Sequence, residues 1–415
     1  MKLLQEKFTP RSGAPTQPQL GSVIASTLQR LGLDTGKEYL ADAMALIDPL
    51  QAAIVTTQHL IAGMVLEAAT AENSECLKRI NNRVIEVGQR TYISLRSVPM
   101  IQELCSTVRD AIAGRALDLA GRQLYFSGTT SDIPVSLIAL GSHGRREQTL
   151  FTDQDYLFIH GDIETEDAAS ETSASEYFGM LGSVFVKIMA EAGIQKCSSG
   201  IMPDSDEWRG SCTEWRRRLF ATARFQHDDW ARNILTLIIL SDARYISGNL
   251  DLWLEFAPLI QAEVRENPQT IRSMARVASA MRIANGFIRR FAVEAEGANK
   301  GAFNLKLLAW KPLVTCVRML AVHFGVDVTS TLERIKALQE KGVFSESLAS
   351  GLADSYHIIT GRRIHQQIMK TKLIISDENY INPYQLVGDE REELYKAIRR
   401  IAELQNLIRS NFSVA

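Results

Sequence analysis

Two carboxylates one residue apart, Asp153 and Asp155, open an apolar run that continues as Tyr156-Leu157-Phe158-Ile159. A strand has a side-chain period of two, so the spacing points both to one face. Carboxylates that close repel each other unless a cation lies between them. Hard divalent ions such as Mg²⁺ (or Mn²⁺) take oxygen ligands of this kind, with substrate phosphates completing the shell. Upstream, the apolar run Ile138-Ala139-Leu140 stops at Gly141-Ser142 and gives way to His143-Gly144-Arg145-Arg146. Gly141 lets backbone approach a phosphate closely, and Ser142 can donate its hydroxyl to one. A short helix beginning near His143 and capped by Ser142 would turn its free N–H groups toward the same anion. Arg145 and Arg146 add fixed positive charge, and a guanidinium grips phosphate oxygens in pairs. The expectation is a metal–phosphate corner: Asp153 and Asp155 hold metal, Gly141, Ser142 and Arg146 hold phosphates, and Arg145 faces the charge that develops in reaction. A strand–turn–strand with solvated charges is the bland alternative, and the ordered combination weighs against it.

These residues need a sheet and helices to position them. Pro134–Leu140 and Asp155–His160 read as strands, with Ile194–Cys197 as a third. Ser173–Ala192 reads as a long amphipathic helix. From Ser211 onward the pattern is helical: Thr213–Phe225, Asp229–Ile246, Leu250–Val264, Thr270–Glu294, Leu305–Phe324, Thr331–Gln339, Glu346–Lys370 and Glu390–Arg409. Before the strands, apolar residues recur at helical spacing through Val23-Ile24-Leu28-Leu31, Ile54-Leu60-Ile61-Met64-Val65 and Ile80-Val84-Ile85-Val87. The predicted organisation is α+β: a flexible lead-in over 1–20, a helical bundle over 21–120, a small α/β domain over 121–250 carrying the motif, and an all-helical region over 251–415.

Composition narrows the function classes. The 415 residues suffice for two or three domains, and 46% hydrophobic with 23% charged residues is ordinary for a globular protein. A formal net charge of −2 gives no general affinity for nucleic acid or an anionic membrane, so neither is expected as partner. The five cysteines are scattered, with no Cys-x-x-Cys pair, which fits a reducing, cytoplasmic setting better than zinc or disulfides. Residues 1–22 lack an apolar core of signal-peptide length, and Ile234–Leu240, read as the most apolar segment, is too short to cross a bilayer.

Gly-Ser-x-Gly-Arg-x-Glu followed by Thr-Asp-x-Asp resembles the nucleotidyltransferase signature of the DNA polymerase beta-like superfamily. It is similar to the version in the PII uridylyltransferase/uridylyl-removing enzyme. It is closer still to a family of nucleotidyltransferases often fused to CBS and cyclic-nucleotide-binding domains in signal-transduction proteins. The resemblance covers roughly residues 75–412. Cys197…Gly200-Ile201-Met202 with Trp208-Arg209 and Glu214-Trp215-Arg216 resembles that family's middle block, and Asp242-Ala243-Arg244 with Gly248 resembles an element shared with the uridylyltransferase. Asn304-Leu305-Lys306, Lys311-Pro312, Arg318, Thr331-x-Glu333-Arg334, Gln366 and Asn382-Pro383 resemble its helical substrate-binding domain. Tyr156 stands where the family usually has Asn, and Met202-Pro203-Asp204-Ser205 replaces a Met-Ala-Ser-Asn pattern.

The resemblance implies an Mg²⁺-dependent enzyme that moves a nucleoside monophosphate from a nucleoside triphosphate to an acceptor hydroxyl, with a protein as acceptor by analogy with PII. A nucleotide-binding regulatory module with little or no catalysis is the alternative, and a small-molecule acceptor is a third. Superfamily enzymes generally add a third carboxylate from a later strand, and Ile194–Cys197 offers none; Asp204 and Asp206 follow in a loop where turn and cap roles are commoner. Arg244 sits either near the nucleotide or in a buried ion pair with Asp242 that locks a helix to the α/β unit. Lys306 and Lys311 either reach the triphosphate or acceptor or are solvated helix charges. His227-Asp228-Asp229 lacks the further histidines of a metal-dependent phosphohydrolase, so Asp228 or Asp229 is read as an N-cap.

Overall fold

Strands β1 (Val135–Ala139) and β2 (Tyr156–His160) form the centre of a mixed four-stranded sheet in the computed structural model of the chain. That structure describes residues 37–163, 168–224, 230–265, 267–284, 291–375 and 377–414. β1 runs antiparallel to β2, pairing Val135 with His160 and Ala139 with Tyr156. The remaining strands are β3 (Arg209–Ser211), parallel to β2, and β4 (Arg244–Gly248), antiparallel to β1, giving the order β3-β2-β1-β4. All five residues of β2 are buried, so both its faces are covered, which is why this strand reads as a continuous apolar run.

The helices in chain order are α1 (Lys37–Ala69), α2 (Ser74–Leu95), α3 (Val98–Phe126), the single turn α4 (Gly141–Gly144), α5 (Ala168–Glu191), α6 (Cys212–Ala223), α7 (Trp230–Leu240), α8 (Leu250–Arg265), α9 (Pro268–Ala280), α10 (Lys311–His323), α11 (Thr331–Glu340), α12 (Glu346–Thr371) and α13 (Glu390–Phe412). A two-stranded ribbon, β5 (Phe303–Asn304) with β6 (Tyr380–Ile381), joins α10's lead-in to the segment after α12. Caps fall where chemistry demands. Asn73 and Ser97 accept N–H groups at the starts of α2 and α3, and Ser211 with Glu214 makes a reciprocal capping box on α6.

Chain contacts separate residues 1–58 from His59–Ala415. Of the first unit only Lys37–Gln58, the opening of α1, is described, so the expected lead-in over 1–20 lies outside the described residues. In the second unit a continuous apolar core runs from Ile61 to Val414. Pro49–Ala69 is long and apolar enough to cross a membrane by length and composition, while the helix that holds Ile234–Leu240 is shorter, as expected. The last turns of α1 nevertheless bury Ile61, Met64 and Ala68 in that core.

Several sequence expectations are corrected. Ile194–Cys197 makes only an isolated bridge, Gln195 to Asp153, and the sheet's third and fourth strands lie further on. The helix expected over Asp229–Ile246 ends at Leu240, and Arg244 opens β4, because the free edge of β1 takes the β-favouring Tyr245-Ile246. The helix expected over Thr270–Glu294 ends at Ala280. The one expected over Leu305–Phe324 is split, its first part a π-turn at Lys306–Trp310. Pro312 has no N–H to donate to Leu308, and the Leu308 carbonyl instead accepts the Ala284 N–H at 2.9 Å.

Candidate active site

The motif residues Gly141, Ser142, Arg145, Asp153 and Asp155 line one cavity of about 630 Å³, together with Lys306 from the C-terminal half. The alternation expected of Asp153-Gln154-Asp155 holds. Gln154 points away and is fully buried, its amide donating to Val186 and Ile194 carbonyls, while the two carboxylates line the cavity. Burial first, then the charge of Asp153, pushes the Asp155 carboxyl up to about 7; a hydrogen bond from Cys197 and the charges of Arg145 and Lys306 oppose that rise. The Cys197 thiol in turn is pushed up to about 11 by burial and by Asp155.

Gly141 has φ +54°, and a Cβ there would come within 2.5 Å of Asp155 Oδ2. Its place is therefore fixed by backbone conformation and by the carboxylate lying against it. Ser142 is not the cap expected of it. α4 begins at Gly141, its N-cap is Leu140, and no side chain caps it. At four residues α4 is a single turn, so the anion attraction expected of a helix end is small here. Gly144 is required for another reason: a Cβ would collide with the Asp242 backbone carbonyl.

The arginines sort differently from one another. Arg145 is buried, with its guanidinium bound to Glu147 (2.8 Å) and to Asp242, and it lies 5.2 Å from the Trp310 ring centre. Burial works against its charge, but Asp242 and Glu147 hold its pKa above the usual value. Arg146 and Arg244 do not line the cavity. Both bind Asp110 of α3, which also hydrogen-bonds His143 Nε2 at 2.6 Å. Despite burial, Arg244 and His143 keep the Asp110 carboxyl well below the usual range. Arg244 thus forms no pair with Asp242. Fully buried Asp242 binds Arg145, Arg318 (2.7 Å) and Arg334 (2.9 Å) instead.

Two family profiles match the chain. One described as "Putative nucleotidyltransferase DUF294" covers residues 63–228, and one described as "Putative nucleotidyltransferase substrate binding domain" covers residues 268–412. The chain belongs to this nucleotidyltransferase family. Among curated proteins, the bifunctional glutamine synthetase adenylyltransferase/adenylyl-removing enzyme of Ralstonia nicotianae is 21% identical over 333 residues, which are 72% of this chain and 34% of that protein. The chain spans about a third of the length of this curated relative.

The residues of the family's two matched regions meet in the site. Thr331 N–H donates to Glu147 at 2.6 Å, and Arg334 reaches Asp242, so the Thr331-x-Glu333-Arg334 element closes the same buried ionic cluster as Arg145. The loop leading to Asp153 is held from both sides. Arg109 of α3 donates to the Thr149 and Leu150 carbonyls at 2.6 and 2.7 Å, and Gln367 of α12 accepts the Leu150 N–H at 3.0 Å. Sequence reasoning missed Arg109, Asp110 and Gln367. Arg109 shares the helical stripe of Cys105, Val108 and Ile112, and that register was the available signal.

A third carboxylate does not come from Asp204 or Asp206. Neither lines the cavity; Asp206 pairs with Arg209, and Ser205 is the cap of that turn. Glu207 does line the cavity, but it pairs with Arg232 at 2.6 Å. Among the described residues, no group of three or more His, Cys, Asp or Glu side chains is disposed to hold a metal ion. Asp153 and Asp155, which both line the cavity, are the oxygen donors that would hold a hard divalent cation there. Trp215 is a packing residue, its indole N–H donating to the Phe158 carbonyl. His227-Asp228-Asp229 lies outside the described residues.

Proposed function

We propose that the chain transfers a nucleoside monophosphate from a nucleoside triphosphate to the hydroxyl of an acceptor protein, with Mg²⁺ (or Mn²⁺) held by Asp153 and Asp155. The observation that carries this reading is the pair of carboxylates lining one cavity together with Lys306 from the C-terminal half. When bound, the cation would offset the negative charge of the phosphates during transfer. The acceptor hydroxyl gives up its proton to water, and its oxygen attacks the α-phosphorus as the bond to the departing pyrophosphate breaks. Such a transfer asks the protein for positioning and charge stabilisation more than for covalent chemistry. Gly141 and Ser142, which line the cavity, would hold phosphate oxygens through backbone and hydroxyl. Arg145, bound to Glu147 and Asp242, shapes the cavity floor rather than gripping phosphate with both arms. A protein acceptor is supported by the relative, whose name places its adenylyl transfer on glutamine synthetase. A signalling role of the PII-uridylyltransferase kind is part of the same proposal.

The chain is incubated with each α-labelled nucleoside triphosphate, Mg²⁺ and a lysate, and both pyrophosphate release and labelled protein are measured. One nucleotide should support both, and Asp153→Ala and Asp155→Ala should each lower the rate by at least about a hundredfold. The absence of a third ligating carboxylate among the described residues favours a second reading, a nucleotide-binding module without turnover. Nucleotide binding with no pyrophosphate from any of the four would establish that reading and overturn the first.

A further inference from the structure

The buried cluster beneath the cavity is unbalanced. Arg145, Arg318, Arg334 and Arg363 stand against the carboxylates of Asp242 and Glu147, so positive charge is left over. Among the described residues Arg363 has neither a carboxylate within ion-pair distance nor a hydrogen-bond acceptor; its contact is the face of Trp310, 4.6 Å from the ring centre. Burial pushes the Arg363 pKa down to about 10. Trp310 and Arg318 are each 8% exposed, and the Trp310 indole N–H and Arg318 Nε are buried with no hydrogen-bond acceptor among the described residues. Buried donors are rarely left unsatisfied, and here two that lack acceptors line one cavity. Lys306 and Lys311 line it too, with no carboxylate in ion-pair reach among the described residues.

Lys306, Lys311, Arg318 and Arg363 share one cavity with the two carboxylates. Lys306 and Trp310 bound the π-turn, Lys311 follows at the start of α10, and Arg363 lies against the Trp310 ring, all lining the cavity that holds Asp153 and Asp155. A polyanion whose reacting end lies at Asp153 and Asp155 would extend along Lys306 toward Lys311, Trp310 and Arg363. We propose that Lys311, Arg363 and the Trp310 indole N–H form the binding wall for the terminal phosphates of the nucleotide, the pyrophosphate that departs. This inference rests on the nucleotidyl-transfer reading and assigns the leaving-group end of that site to the C-terminal helices. It explains how a chain whose Arg145, Arg146 and Arg244 are all engaged by carboxylates still offers a cationic seat for a triphosphate.

The test is calorimetric titration of the full chain with inorganic pyrophosphate, without metal, beside titration with a nucleoside monophosphate. Arg363→Gln and Lys311→Gln should each weaken pyrophosphate binding at least tenfold and leave the monophosphate unchanged, while Arg363→Lys recovers part of the loss. Lys311 is solvent-exposed, so K311Q carries the test if R363Q fails to fold. Folded variants that bind pyrophosphate as tightly as the parent overturn the inference, even where nucleotide turnover persists and the functional reading stands. Pyrophosphate binding that depends on Arg363 in a protein turning over none of the four nucleotides supports this wall and removes the transferase reading.

Discussion

Asp155 carries a cost of burial beside Asp153. Its folded pKa of about 7 lies above the ordinary value of 3.8, so the folded protein holds this proton more tightly than the unfolded chain does. For a raised acid the sign is unfavourable. The cost is absent below about pH 4, grows as pH rises toward 7, and is constant above that. Asp155→Asn should therefore raise the melting temperature of the metal-free protein, with a gain that widens between pH 5 and pH 7.5 and then levels off. The limiting gain is on the order of a few kcal/mol. Thermal unfolding in EDTA across this range checks it, and a pH-independent difference would refute the assignment of the shift to this carboxyl. Mg²⁺ should then stabilise the parent and not the variant. At this scale much was legible. The period of two put Asp153 and Asp155 on one face, and Gly141 was named for close approach, although to Asp155 as it turns out rather than to phosphate alone. The arginines were not legible, because a charge beside a motif reads as free until its burial and its partners, here Glu147, Asp242 and Asp110, are known.

The loop from Glu147 to Thr152 is the element on which the site depends, since it sets where Asp153 enters the cavity. It has no regular structure of its own, and its Thr149 and Leu150 carbonyls and Leu150 N–H are satisfied by side chains from α3 and α12. Gln367→Leu keeps the bulk and removes the acceptor of the Leu150 N–H, leaving a buried donor unpaired at a cost of about 1–3 kcal/mol. Hydrogen exchange should show the Leu150 amide opening faster by a factor of ten or more, while amides of β1 and β2 are unchanged. An unaltered Leu150 rate would mean the loop is held by Arg109 alone. The elements themselves divide by what specified them. β1 and β2 were legible as apolar runs, and most helices by period. The three-residue β3 carries too little pattern to announce itself, β4 was hidden inside an apolar stretch that suits a helix equally, and the break at Lys306–Trp310 follows from Pro312 and a carbonyl claimed by the distant Ala284.

For the unit from His59 to Ala415, the question is whether the C-terminal helices are an attachment or part of the same cooperative structure. The ionic cluster argues for the second. Asp242, at the junction of α7 and β4, binds Arg145 beside the motif, Arg318 on α10 and Arg334 on α11, and is completely buried. The three arginines come from parts of the chain far apart in sequence, which is why their convergence on one carboxylate could not be read from spacing. Asp242→Asn leaves three buried guanidinium groups without their shared anion and should cost about 3–5 kcal/mol. Arg334→Met removes one of those cations, so the same Asp242→Asn change made on top of it should hurt less, by at least about 1 kcal/mol of coupling. Urea unfolding of the parent, both single variants and the double variant measures that cycle. The parent transition seen by far-UV circular dichroism should coincide with that seen by tryptophan fluorescence, because Trp215 near the sheet and Trp310 near α10 report on one core. Additive losses with two separated transitions would show instead that residues 268–412 fold independently, and that the cavity is assembled by docking rather than by the fold.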